Sequence, residues 1–205
     1  MSAAHLEFLV EEPSMEAFLI ALLPRLLPRN RTFAIHPFQG KPDLLTKLQA
    51  RLRGYAAWLP EDWRIVVVVD RDDDDCRTLK AKLEGMAKSA HLRTRSNVGT
   101  KAWQLVIRIA IEELEAWYFG AWAAVCEAYP RVSAHVVNQA DYRDPDGIAG
   151  GTWEAFERVL KKHGYFDGGL AKIEAGRTLG ALIDPGRNRS ASFGQFRDAV
   201  LDAIA

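Results

Sequence analysis

Apolar residues recur along this chain with two different periods, and the switching between them outlines the fold. The stretch HLEFLV, His5–Val10, sets Leu6, Phe8 and Val10 in alternation with Glu7 and Leu9, as a strand does. Pro13 suits the first turn of a helix, and Met15, Phe18, Leu19, Leu22, Leu23 and Leu26 follow at helical spacing. Residues 32–38 predict a second strand. Leu44, Leu45, Leu48, Leu52, Tyr55 and Ala56 predict an amphipathic helix that closes near Pro60. The clearest strand is RIVVVVD, residues 64–70, which is apolar on both faces as a central parallel strand must be. Leu79, Leu83 and Met86 mark the helix after it. Residues 103–117 fit two periods. Leu105, Ile107, Ile109 and Ile111 alternate, while Trp103, Ile107, Ala110, Leu114 and Trp117 suit a helix. The β-branched content favours a strand over 105–111, with a helix starting near Glu112 or Glu113. Residues 138–152 are rich in Asp, Gly and Pro and read as loop. Helices resume over 152–163, 170–182 and 192–205.

Strands that alternate with helices through the first 125 residues or so define an α/β protein. The expected architecture is a mainly parallel, Rossmann-like sheet covered by helices on both faces, with a helical C-terminal extension. We divide the chain into an α/β core over 1–130 and an extension over 131–205 packed on that core. The longest apolar run, residues 116–126, is far short of the roughly 20 residues a membrane helix needs. The N-terminal stretch lacks the basic-then-apolar pattern of a signal peptide. Cys76 and Cys126 make no disulfide framework. These features predict a cytoplasmic protein with no membrane partner.

Charge changes the picture locally rather than globally. Lys and Arg number 27 and Asp and Glu number 27, so the total is zero. Basic residues nevertheless gather at Arg25, Arg29 and Arg31, from Lys41 to Arg53, from Arg93 to Lys101, and at Arg187 and Arg189. A neutral total is compatible with a basic groove around an acidic centre. The acidic centre is suggested by VVVVDRDDDDC, residues 66–76, where an apolar strand runs straight into five aspartates. In an open parallel sheet, ligands bind beyond the carboxyl ends of the strands. Three acidic groups fall at such ends: Glu11 with Glu12, Asp70 with Asp72, and Glu113 with Glu115. Clustered carboxylates repel one another unless a cation neutralises them, and hard oxygen ligands suit Mg2+ or Mn2+. The ordinary reading of each group alone is a solvated turn or a helix cap. If the extended backbone continues past Asp70, then Asp70 and Asp72 leave on one face and Arg71 on the other. Asp73 and Asp74 are expected to face solvent. Walker A, G-x-S-x-G and G-x-G-x-x-G motifs are all absent, and no two histidines stand at metal-ligand spacing.

An apolar strand ending in Glu, then one ending in Asp-x-Asp, within an alternating α/β frame, resembles the Toprim domain of topoisomerases, primases and OLD-type nucleases. The resemblance covers about residues 5–125. The segments FLVEEPSMEAFLIALLPRLL, GKPDLLTKLQARLRGY, VVVVDRDDDDC and RIAIEELEAWYFGAW, with the tail NRSASFGQF, more closely resemble a Toprim-like family, the domain of unknown function 4276. The resemblance implies that Glu11 stands for the Toprim glutamate and that Asp70 and Asp72 stand for the two motif aspartates. It makes Glu115 the best additional acidic ligand, with Glu113 second. Two departures stand out. Glu12 replaces the usual Gly, and Ala121 stands where an Asp is expected, which points to a one-metal or weakened site.

These readings imply a divalent-metal-dependent nuclease acting on DNA or RNA. Glu11, Asp70, Asp72 and Glu115 would carry the chemistry, and Lys41 or Lys172 would contact phosphate. The alternative is a metal- and nucleic-acid-binding regulatory module, a subunit of an anti-phage or toxin-like system, with little activity without a separate ATPase partner. A phosphoryl-accepting receiver-like domain fits less well. It needs an acidic pair after the first strand and a lone Asp after the third, and Glu11–Glu12 and Asp70–Asp72 match those poorly.

Overall fold

A computed structural model describes residues 2–98 and 102–205, so Lys101, at the end of one basic stretch, lies outside the described residues. Strands β1 (His5–Val10), β2 (Thr32–Pro37), β3 (Trp63–Asp70) and β4 (Leu105–Ala110) form one sheet in the order β2-β1-β3-β4, with every pair parallel. Helices α1 (Pro13–Leu26), α2 (Lys41–Trp58) and α3 (Cys76–Ser89) make the crossovers. Beyond the sheet come α4 (Glu115–Gly120), α5 (Trp122–Ala128), α6 (Thr152–Lys162), α7 (Lys172–Leu182) and α8 (Ala191–Ile204), with three single 3-10 turns between α5 and α6. The chain is therefore an α/β protein with a parallel sheet.

The period of two along each strand splits the core into two layers. Leu6, Phe8, Val10, Val66, Val68, Val106 and Ala110 belong to one buried cluster with α1 and with α4 to α8. Leu9, Ile65, Val67, Val69, Leu105, Ile107 and Ile109 belong to a second cluster with α2 and α3. Each fully buried Val, Leu, Ile or Phe is worth roughly 1.5–3 kcal/mol, so burial on both faces explains the unbroken run of four valines in β3. The ambiguous segment resolves as strand and then helix. The helix starts at Glu115 rather than at Glu112 or Glu113, because Glu112 has a φ of 61°, in the left-handed region that an α-helix cannot include.

Helix α7 lies directly on α1. A Cβ built on Gly176 would stand 2.6 Å from the Ser14 carbonyl oxygen, and one on Gly180 would stand 2.3 Å from that of Phe18. Glycine at these two positions is what lets the backbones meet. We expect Gly180→Ala to destabilise the fold by about 1–3 kcal/mol, although Ala is the better helix former, because overpacking outweighs propensity. Urea unfolding checks this. A Gly180→Ala variant at least as stable as the wild type would mean that the helices slide apart at no cost.

The tail NRSASFGQF closes the molecule. Ser190 caps α8 by accepting the Phe193 N–H at 3.1 Å. Asp146 accepts from the hydroxyl of Ser190 at 2.7 Å and from the amide of Ser192 at 2.9 Å. Ser192 Oγ in turn accepts the indole N–H of buried Trp117 at 2.9 Å, and Asn188 donates to the Trp117 carbonyl at 2.8 Å. At the opposite end of α8, the Ala3 amide donates to the Ala203 carbonyl at 2.8 Å, which sets the last turn of the chain beside the start of β1.

Candidate acidic site at the strand ends

The strand order reverses between β1 and β3. The chain runs outward from β1 to β2, crosses back over β1 to β3, and continues away to β4. Such a switch point opens a crevice at the carboxyl ends of the two central strands. Glu11 follows β1 there and Asp70 ends β3. The Asp70 amide donates to Glu11 Oε2 at 3.1 Å. Both side chains are buried, with residue exposures of 8% and 6%. Asp70 Oδ1 is buried with no hydrogen-bond partner. Burial, then the charges of Glu11 and Glu115, hold the Asp70 carboxyl well above the usual carboxylate range. Burial, then the charge of Asp72, push Glu11 up to about 7.

Asp72 does not continue the strand. Its φ is 47°, so the extended backbone stops at Asp70 and the same-face alternation expected for Asp70 and Asp72 does not apply. The turn is held from outside: the Asp72 amide donates to the Glu112 carbonyl at 2.9 Å, and Arg71 pairs with the Glu112 carboxylate. Lys41, the first residue of α2, reaches Asp72 at 2.8 Å and Asp74 at 2.9 Å, and donates to the Arg71 carbonyl at 2.9 Å. Burial works against the Lys41 charge, but the hydrogen bonds to Asp72 and Asp74 outweigh it and hold its pKa above the ordinary lysine value. Asp73 and Asp74 are exposed, as the sequence suggests. Asp75 is the N-cap of α3, accepting the Thr78 amide at 2.9 Å and its hydroxyl at 2.7 Å. The five aspartates thus divide their work: one is buried in the crevice, two are held by a lysine, one is solvated and one caps a helix.

Glu115, at the start of α4, is 2% exposed and is pushed up to about 7 by burial, against the pull of Lys172. Its charge and that of Asp70 act on one another across the crevice. Glu113 is engaged elsewhere. It accepts the Trp153 amide at 2.8 Å and the Thr152 hydroxyl at 3.1 Å, serving the start of α6. Lys172 opens α7, with Nζ 4.9 Å from the centre of the Trp153 ring. Burial disfavours its charge, but Glu115, Glu12, Glu113 and Asp70 together hold its pKa above the usual lysine value. The sequence reading missed Tyr118. This residue is fully buried, its hydroxyl has no partner, and burial followed by Glu115 and Asp70 drives its pKa far up. Its place one helical turn after Glu115 was the available signal. Glu12 was noted only as a departure from glycine, yet its charge reaches Asp70, Glu115 and Lys172.

The donor chemistry fits a hard divalent cation: Glu11, Asp70 and Glu115 are buried carboxylates, and Asp70 Oδ1 lacks any partner. The side-chain positions do not close a ready coordination sphere. Among the described residues, no three His, Cys, Asp or Glu side chains are grouped so as to hold a metal ion. Glu11 Oε2 is occupied by the Asp70 amide and Asp72 by Lys41. These carboxylates act on the charges of Lys41 and Lys172.

An all-parallel α/β sheet with buried acids at its switch point defines a Rossmann-like protein with a polar site at the strand ends. The chain belongs to the family described as domain of unknown function DUF4276, whose model matches residues 10–201. No curated protein and no solved structure matches it. No helix among the described residues is long and apolar enough to cross a membrane.

Proposed function

We propose that the protein is a Mg2+- or Mn2+-dependent nuclease that hydrolyses phosphodiester bonds in DNA or RNA at the rim of Glu11, Asp70 and Glu115. The observation that carries this reading is Asp70. A carboxylate 6% exposed, with an unpartnered oxygen at the switch point, is costly to keep unless something binds there. Glu11, Asp70 and Glu115 would hold the ion, joined by Asp72 when Lys41 lets go of it. Once bound, a divalent ion supplies an activated water and neutralises charge on the phosphoryl group. Burial and the charge of Asp72 push Glu11 up to about 7, and an ion held at the rim would return its carboxylate to the charged, ligating form. Lys41 and Lys172, on opposite flanks, suit phosphate oxygens. A reducing cytoplasm suits the free thiols Cys76 and Cys126.

The test is the purified chain with labelled single- and double-stranded DNA and RNA, in Mn2+, Mg2+ or EDTA. Metal-dependent cleavage that disappears in Asp70→Asn is expected. Cleavage that is equal in EDTA, or unchanged in Asp70→Asn, would place the activity elsewhere. One observation favours the second reading, a metal- and nucleic-acid-binding regulatory module that waits for a partner ATPase in an anti-phage or toxin-like system. Asp72 is held by Lys41 instead of standing free for an ion. Oligonucleotide binding without cleavage in any metal would select that reading.

A further inference from the structure

Trp58 closes α2 and is 55% exposed, and no other aromatic side chain among the described residues is open to that degree. It is held in place all the same. The Tyr55 ring lies 5.3 Å away, tilted by 40°, and the Trp63 ring meets it edge-on at 5.6 Å. A large apolar face left open to water, yet fixed by its neighbours, is a platform for a flat partner.

Trp58 is one wall of a cleft of about 490 Å³, shared with Glu7, His36, Arg51, Gly54 and Tyr55, beside the edge strand β2. Arg51, Gly54 and Trp58 recur every three or four residues and so lie on one side of α2. Glu7 is the only acid in the lining, and Tyr55, His36 and His5 take its oxygens. His36 is thereby fixed through Nε2, and its Nδ1 has no hydrogen-bond partner among the described residues. Arg51 bonds the Tyr55 hydroxyl and lies 6.0 Å from the centre of the Phe38 ring, and it forms no ion pair among the described residues. A Cβ on Gly54 would meet nothing within 4 Å, so glycine there leaves the cleft open.

We propose that this cleft binds one nucleotide of an unpaired nucleic-acid strand, with the base on Trp58 and the phosphate at Arg51. Every base has a flat π face that an indole matches without sequence preference. A guanidinium meets phosphate oxygens as a planar fork, and His36 Nδ1 supplies one further fixed hydrogen-bonding group. The polar floor of Glu7 and Tyr55 does not suit an acyl chain. A duplex hides the faces of its bases, so the strand is unpaired. This extends the nuclease reading, on which it rests, by naming an unpaired strand as the substrate. Helix α2 spans roughly 27 Å over its 18 residues, from Lys41 at the acidic rim to Trp58. A strand pinned at Trp58 runs along α2 for several nucleotides before it reaches the rim.

The test measures a fluorescein-labelled 20-nucleotide single strand by anisotropy against the full chain in EDTA, where no cleavage intervenes. Binding should weaken about fivefold or more in Trp58→Ala and be largely kept in Trp58→Phe, which retains a stacking face. Arg51→Ala should weaken it and lower the slope of log affinity against log salt concentration by about one phosphate contact. Gly54→Glu puts a carboxylate into the open space and replaces glycine by a better helix former. It should bind about fivefold or more weakly yet melt no lower than the wild type, and it carries the test if Trp58→Ala does not fold. A duplex of the same sequence and free AMP should each bind at least tenfold more weakly than the single strand. Undiminished binding in folded Trp58→Ala or in Gly54→Glu would overturn the proposal, and so would a duplex or AMP that binds as tightly as the strand. Cleavage is scored separately: its loss in Asp70→Asn tests the rim, and the loss of binding in Trp58→Ala tests the cleft.

Discussion

Asp70→Asn should unfold at a higher temperature than the wild type in EDTA at pH 8, and should lose phosphodiester cleavage by roughly a hundredfold or more. Both effects come from one arrangement. Burial and neighbouring acids raise the pKa of Asp70 well above its ordinary value and those of Glu11 and Glu115 to about 7. An acid whose folded pKa is raised binds protons more tightly in the folded than in the unfolded state. The fold is therefore relieved of the penalty below the unfolded pKa near 4.5, loses stability as pH rises towards 7, and stays penalised above that. For Glu11 or Glu115 the rise from 4.5 to about 7 corresponds to on the order of 3 kcal/mol. Glu115→Gln should thus share the gain at pH 8, and in both variants the gain should disappear near pH 4.5. Melting curves across that range, with and without Mn2+, check the sign. A metal-induced rise in Tm that survives Asp70→Asn would put the ion elsewhere. A loss of stability in EDTA would mean that Asp70 is held by bonds the fold depends on.

Glu7→Leu should do the opposite and cost about 3–5 kcal/mol. Glu7 is as buried as Asp70, at 5% exposure, but it is fully partnered. Tyr55 donates to Oε2 at 2.9 Å, His36 Nε2 lies 2.6 Å from the same oxygen, and His5 Nε2 lies 3.2 Å from Oε1. Burial, and then the bond to Glu7, push the Tyr55 hydroxyl up to about 12. A leucine at position 7 would strand three polar groups at once and loosen β2 from β1 and α2. Urea unfolding with Glu7→Gln as the milder companion measures it, and a neutral Glu7→Leu would mean that water replaces the carboxylate without loss. Two acids of equal burial therefore part company on their partners: the satisfied one belongs to the scaffold and the unsatisfied one to the site.

That distinction was not legible in the sequence, although most of the fold was. The valines of β3 and the alternation of β1 and β4 report burial directly, because strand period and apolar pattern are the same fact. The strand ends followed, and with them the positions of Glu11, Asp70 and Glu115. Partnership was hidden, because it depends on side chains far apart in the chain. Nothing in VVVVDRDDDDC says that Lys41 of α2 would take Asp72 and Asp74, or that Thr152 and Trp153 would engage Glu113. The left-handed turns at Asp72 and Glu112 were hidden too, since neither residue is a glycine that would announce one.

The bond between Ala3 and Ala203 has a practical side. Ala3 and Ala203 lie where the strands begin, and the acidic rim lies where they finish. A tether, tag or surface attached through either end would hold the molecule by its base and leave the crevice facing outward. Immobilised in that orientation, the protein should keep the metal and oligonucleotide binding proposed for its rim, and a linker joining the two ends should be short.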